Sequence, residues 1–222
     1  ALILLPISGF SQTTFLPQGD KSAVLLDRLE IRAYKDSLFN FSKTRPLSRQ
    51  HVMNALLSAD GKNRLLQNNR VVKSLTKVDQ YNLRRLMANN LEFLPDSLRS
   101  AFLTKKPVLK NFYTSPANLY EVHVKDFDLV INPVIQVTVS KEKDNSESLF
   151  QNTRGLTLRG RIANKIGFAT YLTDNQERVP FYVRDFVTAR KAVPGAGFYK
   201  NFKGSGFDYF DARGYLTFNV TR

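Results

Sequence analysis

The residues able to do acid–base or metal chemistry are few and poorly placed for it. His51 and His123 are the only histidines and there is no cysteine, so thiolate metal sites and disulfides are excluded. Neither histidine stands in an H-E-x-x-H or triad context; each reads as a satisfied or exposed side chain. Asp126 with Asp128, and Asp208 with Asp211, are carboxylate pairs at strand ends, which solvated turn residues explain without acid–base work. Gly195-Ala196-Gly197 lacks the third glycine of a dinucleotide fingerprint, because Lys200 stands there, and no strand–helix context surrounds it. The sequence predicts no enzyme, no catalytic residue, no metal and no cofactor.

Binding chemistry is better represented. Tyr182, Arg184, Arg190, Lys191, Tyr199, Lys200 and Lys203 mix rings with cations in one long insert. Aromatic faces stack on sugar rings, and cations pair with the uronate or phosphate groups of acidic polymers. Tyr182, Arg184, Arg190, Tyr199, Lys200 and Lys203 are therefore the candidate polysaccharide-binding residues. Loop packing and contact with anionic surface lipid form the alternative. Arg159, Arg161 and Arg213 make a second set, on the polar faces of strands, where they either line a lumen or pair with acidic residues on neighbouring strands or a plug.

The element that must position these residues is a hairpin over Gln151 to Thr173. Leu156, Leu158, Gly160 and Ile162 alternate with Thr157, Arg159 and Arg161; Ile166, Phe168, Thr170 and Leu172 alternate with Gly167, Ala169, Tyr171 and Thr173. Asn164-Lys165 supplies the tight link. Each arm runs about 10 residues, enough to cross a bilayer as a tilted strand. Two more strands share the pattern. Leu129, Ile131, Pro133, Ile135, Val137 and Val139 line one face of 127–141, and Phe210, Ala212, Gly214, Leu216, Phe218 and Val220 one face of 209–220. Glu142 to Ser148 reads as a polar loop and Asp174 to Asp208 as a long insert.

Before residue 119 the periodicity is helical. Asp20 caps a helix over 21–33, with Leu25, Leu26, Leu29 and Ala33 inward. Ser48 caps 49–58, and Thr76 caps 76–93, whose apolar side is Val78, Tyr81, Leu83, Leu86, Met87 and Leu91. A short strand is expected around Leu38 to Phe41. Residues 1–11, apolar and ending in the small-x-small Gly9-Phe10-Ser11, read as the remnant of a secretory signal peptide cut before Gln12; a buried strand or helix start is the alternative. With the strand pattern still running at Thr217 to Arg222, the chain is expected to be an N-terminal fragment of a longer exported protein. The organisation is thus residues 1–11 as signal remnant, 12–118 as a periplasmic helical region and connector, and 119–222 as the first strands of a barrel. The expected fold class is α+β: a small N-terminal helical region, then antiparallel strands of an incomplete transmembrane β-barrel.

Lipid and a soluble core compete for the apolar strand faces, since a half-buried antiparallel sheet shows the same alternation. Strand length, the export signal, and short turns on one side with long loops on the other favour the outer membrane. Lys and Arg number 33 against 19 Asp and Glu, a formal +14, which favours anionic partners. The positive residues are scattered rather than gathered on one face, so no nucleic acid is expected.

The stretches LLDRLEIR (Leu25 to Arg32), INPVIQ, FQNTRGLTLRGRIANKIGFATYLTDNQ and DYFDARGYLTFNV resemble the Bacteroidetes branch of the capsule assembly Wzi-like outer-membrane proteins, some of whose members are labelled gliding-motility proteins. INP, NTRG, TDNQ and ARGY together carry the resemblance, which covers most of the chain after Gln12. It implies a non-enzymatic outer-membrane barrel with a periplasmic helical part, involved in assembling or attaching capsular or other surface polysaccharide. The better-studied relatives are surface lectins that hold capsular polysaccharide. An outer-membrane component of gliding motility or a porin-like channel is the alternative, and a basic nucleic-acid-binding protein a remote one. Expected partners are outer-membrane lipid and an acidic capsular or surface polysaccharide. The expected location is the outer membrane of a Gram-negative bacterium.

Overall fold

The structure, a computed structural model, describes residues 14–17, 19–34, 39–40, 42–43, 45–57, 69–106, 108–109, 111–163 and 165–218, with only the backbone of 69, 70 and 72. The signal remnant, the ends of the strand expected near Leu38 to Phe41, and Asn164 lie outside these residues. The fold is α+β. Helices α1 (Lys21–Ala33), α2 (Arg49–Leu56), α3 (Asn69–Ser74), α4 (Lys77–Ala88) and α5 (Asp96–Arg99) precede strands β1 (Phe112–Ser115), β2 (Asn118–Val124), β3 (Phe127–Ser140), β4 (Leu149–Ile162) and β5 (Ile166–Arg178). Helix α6 (Phe181–Arg190), β6 (Lys200–Phe202) and β7 (Gly206–Phe218) follow. The strands form one antiparallel sheet in the order β1-β2-β3-β4-β5-β7-β6, open at β1 and β6.

Two compact units divide the chain, one of Ala1–Val130, Gly160–Phe168 and Leu216–Arg222, the other of Ile131–Arg159 and Ala169–Tyr215. In the first, the helices gather Leu26, Leu29, Val52, Met53, Leu56, Val71, Leu86 and Leu91 into a dry core. The helix starts are fixed by their caps. Asp20 accepts from the Ser22 N–H at 2.7 Å, Ser48 from His51 at 3.3 Å, and Thr76 with Asp79 closes a capping box. Arg49, buried, donates to Asn90 at 2.6 Å, and Asn90 donates to the Leu86 carbonyl at 2.6 Å, which joins α2 to the end of α4.

Three expectations change. Helix α4 stops at Ala88 and a 3-10 turn, Leu91–Phe93, completes the stretch; Val78 and Tyr81 point outward rather than into the core. The insert expected over 174–208 is structured: β5 runs to Arg178, α6 and β6 follow, and β7 begins at Gly206. The connector before residue 119 contains β1, paired with β2 through Phe112↔Tyr120 and Ser115↔Asn118.

In the second unit, Val187 of α6 is fully buried against Val179, Val193 and Phe207, with Val183, Tyr199 and Tyr209 around them. Val179, Phe207 and Tyr209 fall on the polar-face side of the strand alternation, so α6 covers that side of the sheet. The apolar side of this unit is bare at Ile135, Val137 (69% exposed), Val139, Leu156 and Phe210. The first unit repeats the pattern, with Ile162, Leu216 (63% exposed) and Phe218 exposed.

Candidate functional site

Residues 142–148 and 178–206 meet in the second unit. Both carboxylate oxygens of Glu142 accept from the Phe181 N–H, at 3.3 and 3.2 Å, which seats the start of α6. Glu147 accepts from Ser205 at 2.7 Å and from Arg184 at 3.3 Å. The Ser205 hydroxyl, then Arg178 and Arg184, hold its carboxyl below the usual range. Pro180 starts the helix and Lys191, at φ 52°, ends it in the left-handed region.

This frame sorts the candidate polysaccharide-binding residues. Arg184 is committed to Glu147 and to the Phe181 ring, 5.2 Å from its centroid. Tyr199 packs edge-on against Phe207 at 4.9 Å. Tyr182 (75% exposed), Arg190, Lys200 and Lys203 face solvent. Sequence reasoning missed Phe181, Phe186 and Phe198, the last 95% exposed. Tyr182 and Phe186 are i and i+4 on α6, so they share a side of the helix with Asp185 between them, and Arg190 covers the Phe186 ring at 5.8 Å. The F-Y-x-x-x-F spacing was legible; that the stretch is helical was not.

The polar strand face of the first unit carries a chain of charges. Thr114 and Asn118 donate to Glu121 at 3.0 and 2.7 Å; Glu121 lies 3.5 Å from His123 Nε2; His123 Nδ1 lies 2.9 Å from Asp128; and Arg161 Nε donates to Asp128 at 2.9 Å. Asp128 is buried, so it is a link in this network rather than the solvated turn residue expected. β2 has seven residues, short of the roughly 9–11 a tilted strand needs to cross a bilayer. Burial alone would lower the His123 pKa; Asp128, Glu121 and Glu92 outweigh it and push it up to about 9. Burial alone would raise Glu121; His123, Asn118 and Thr114, all within hydrogen-bond reach, hold it at about 2. The arrangement stores paired charge across β2, β3 and β4.

Of the three strand arginines, Arg161 is in this network, Arg213 pairs with Asp211 two residues before it at 2.8 Å, and Arg159 is half-buried on the same face as Arg161. Among the described residues no group of three or more histidines and carboxylates could hold a metal ion.

The chain matches no protein-family model, no curated protein and no solved structure.

Proposed function

We propose that β3, β4, β5 and β7 are membrane-crossing strands of an outer-membrane β-barrel protein that binds or helps assemble an acidic surface polysaccharide without catalysing a reaction. The observation that carries this reading is the bare apolar face. Ile135, Val137, Val139, Leu156 and Phe210 in one unit, and Ile162, Leu216 and Phe218 in the other, all stand exposed. In each unit the helical elements lie on the polar side instead: Val187 against Phe207, and Phe93 under Arg161. A soluble half-buried sheet does the reverse and covers its apolar face with its own helices. An apolar outer face with a polar inner one is the arrangement lipid requires.

Strand lengths support the reading. β3 and β4 have 14 residues each, and β5 and β7 have 13. No helix among the described residues is long and apolar enough to cross a membrane. The open edges at β1 and β6 require further strands for closure. The polysaccharide part rests on the aromatic and cationic end of the second unit, and on the resemblance to Wzi-like proteins.

The test is the behaviour of the full-length protein in its own envelope. It is expected to partition with the outer membrane, to need detergent for extraction, and to migrate differently on gels before and after boiling. Recovery as a water-soluble monomer would overturn the proposal.

A further inference from the structure

We propose that the seam between α1 and α4 is a docking groove for an acidic amphipathic helix of a partner protein. The two helices pack antiparallel. Arg28 and Arg32, late in α1, reach Asp79, early in α4, at 3.1 and 2.7 Å. At the other end, Lys21 and Leu25 of α1 line a cleft of about 290 Å³ with Asn82, Arg85 and Leu86 of α4 and Asn89 just after it.

The helices also expose apolar side chains. Val24 and Ile31 (76% exposed) stand two turns apart on α1, on either side of Arg28, and Val78 (66% exposed) and Tyr81 stand one turn apart on α4. A single exposed apolar residue needs no explanation. Four of them on two adjacent helices, at i,i+7 and i,i+3, form ridges between which a third helix fits.

Charge selects the occupant. The acids of the two helices are already engaged: Asp79 by Arg28, Arg32 and Thr76, Glu30 by Ser42, and Asp27 by Arg45. Asp20 also lines the cleft; it accepts from the Ser22 N–H and keeps its negative charge. Lys21, Lys77 and Arg85 have no acidic partner among the described residues. Lys21 and Arg85 outnumber Asp20 in the cleft, and Arg28, Arg32 and Lys77 outnumber Asp79 along the rest of the seam, so the groove is net positive; the complementary helix carries carboxylates beside its apolar stripe, one of them seated at Lys21 and Arg85. A recessed cleft reads an individual side chain, whereas a flat lipid surface reads only net charge, so the geometry favours a protein partner.

The test uses the full-length protein in detergent and two labelled synthetic amphipathic helices of about five turns, identical except that one carries Glu and the other Lys beside a leucine stripe. Anisotropy titration is expected to show the Glu helix binding at least about tenfold more tightly than the Lys helix. Lys21→Glu combined with Arg85→Glu is expected to weaken it about tenfold or more. Ile31→Ser, which leaves every charge in place, is expected to weaken it as well. These positions are exposed, so an unchanged thermal midpoint certifies the fold of each variant. Equal binding of the two helices, an unchanged affinity in the charge-reversed variant, or capture by anionic phospholipid vesicles without affinity for the Glu helix overturns the proposal. None of these readouts depends on whether the sheet crosses a membrane.

Discussion

The guanidinium of Arg161 lies 5.2 Å from the ring centroid of Phe93. Phe93 belongs to the 3-10 turn that closes the helical core, and Arg161 to the polar face of β4. Because Arg161 also grips Asp128 on β3, one side chain ties that turn to two strands. Arg161→Ala would leave the buried Asp128 without its arginine. The expected loss is roughly 2–4 kcal/mol, read from denaturant melts in detergent. Arg161→Lys keeps the charge but not the fork or the stack, and should recover only part of it.

His123 sets a pH dependence with a definite sign. Its pKa is raised from 6.5 to about 9, so its stabilisation is full below about pH 6.5 and disappears as the pH climbs through about 9. Denaturant midpoints measured from neutral to alkaline pH should fall in the wild type. In His123→Gln they should fall less, and equal slopes would remove the histidine from the account.

Asp79 anchors the start of α4. Burial alone would raise its carboxyl; Thr76 and Arg32 outweigh that and hold it at about 2, against an ordinary 3.8. Its contribution is present above pH 3.8 and lost as the pH falls through about 2. Asp79→Ala removes a capping box and leaves Arg28 and Arg32 without their common acid, at a cost of about 2–4 kcal/mol. Asp79→Asn should retain part of the cap, and circular dichroism during thermal melting distinguishes the two.

A charge on the bare strand face separates a lipid partner from water. Val137→Arg or Leu216→Arg should destabilise a membrane-inserted protein by up to about 2–4 kcal/mol, depending on depth. In a soluble sheet with those positions in water, the same changes would be close to neutral. Refolding equilibria into bilayers of defined composition give the answer.

The candidate polysaccharide-binding residues divide into two kinds. Arg190→Gln with Lys200→Gln and Lys203→Gln should weaken binding of an acidic glycan without moving the melting midpoint. Arg184→Gln should lower the midpoint, because Glu147 loses a partner. Loss of glycan binding is measured by affinity electrophoresis of the folded protein.

Alternation made the strand faces readable, and caps made the helix starts readable; Asp20, Ser48 and Thr76 mark them in the structure too. What the sequence hid is pairing between distant strands. Asp174 to Arg178 resembles a loop because it is polar on both sides, yet Thr153 donates to Asn175 at 2.8 Å and Gln176 to Asp208 at 3.0 Å. Asp128 resembles a turn residue until Arg161, 33 positions later, is brought beside it. Helix α6 is short, opened by a proline and only partly buried, so its periodicity is too brief to stand out against its aromatics.

β6 pairs only with the first residues of β7, through Lys200↔Asp208, Asn201↔Phe207 and Phe202↔Gly206. Past that point β7 offers a long row of amide and carbonyl groups to whatever chain comes alongside. In water this polypeptide should therefore stick to itself, forming ribbons or precipitate, and a lysine placed on that edge of β7 should slow the process.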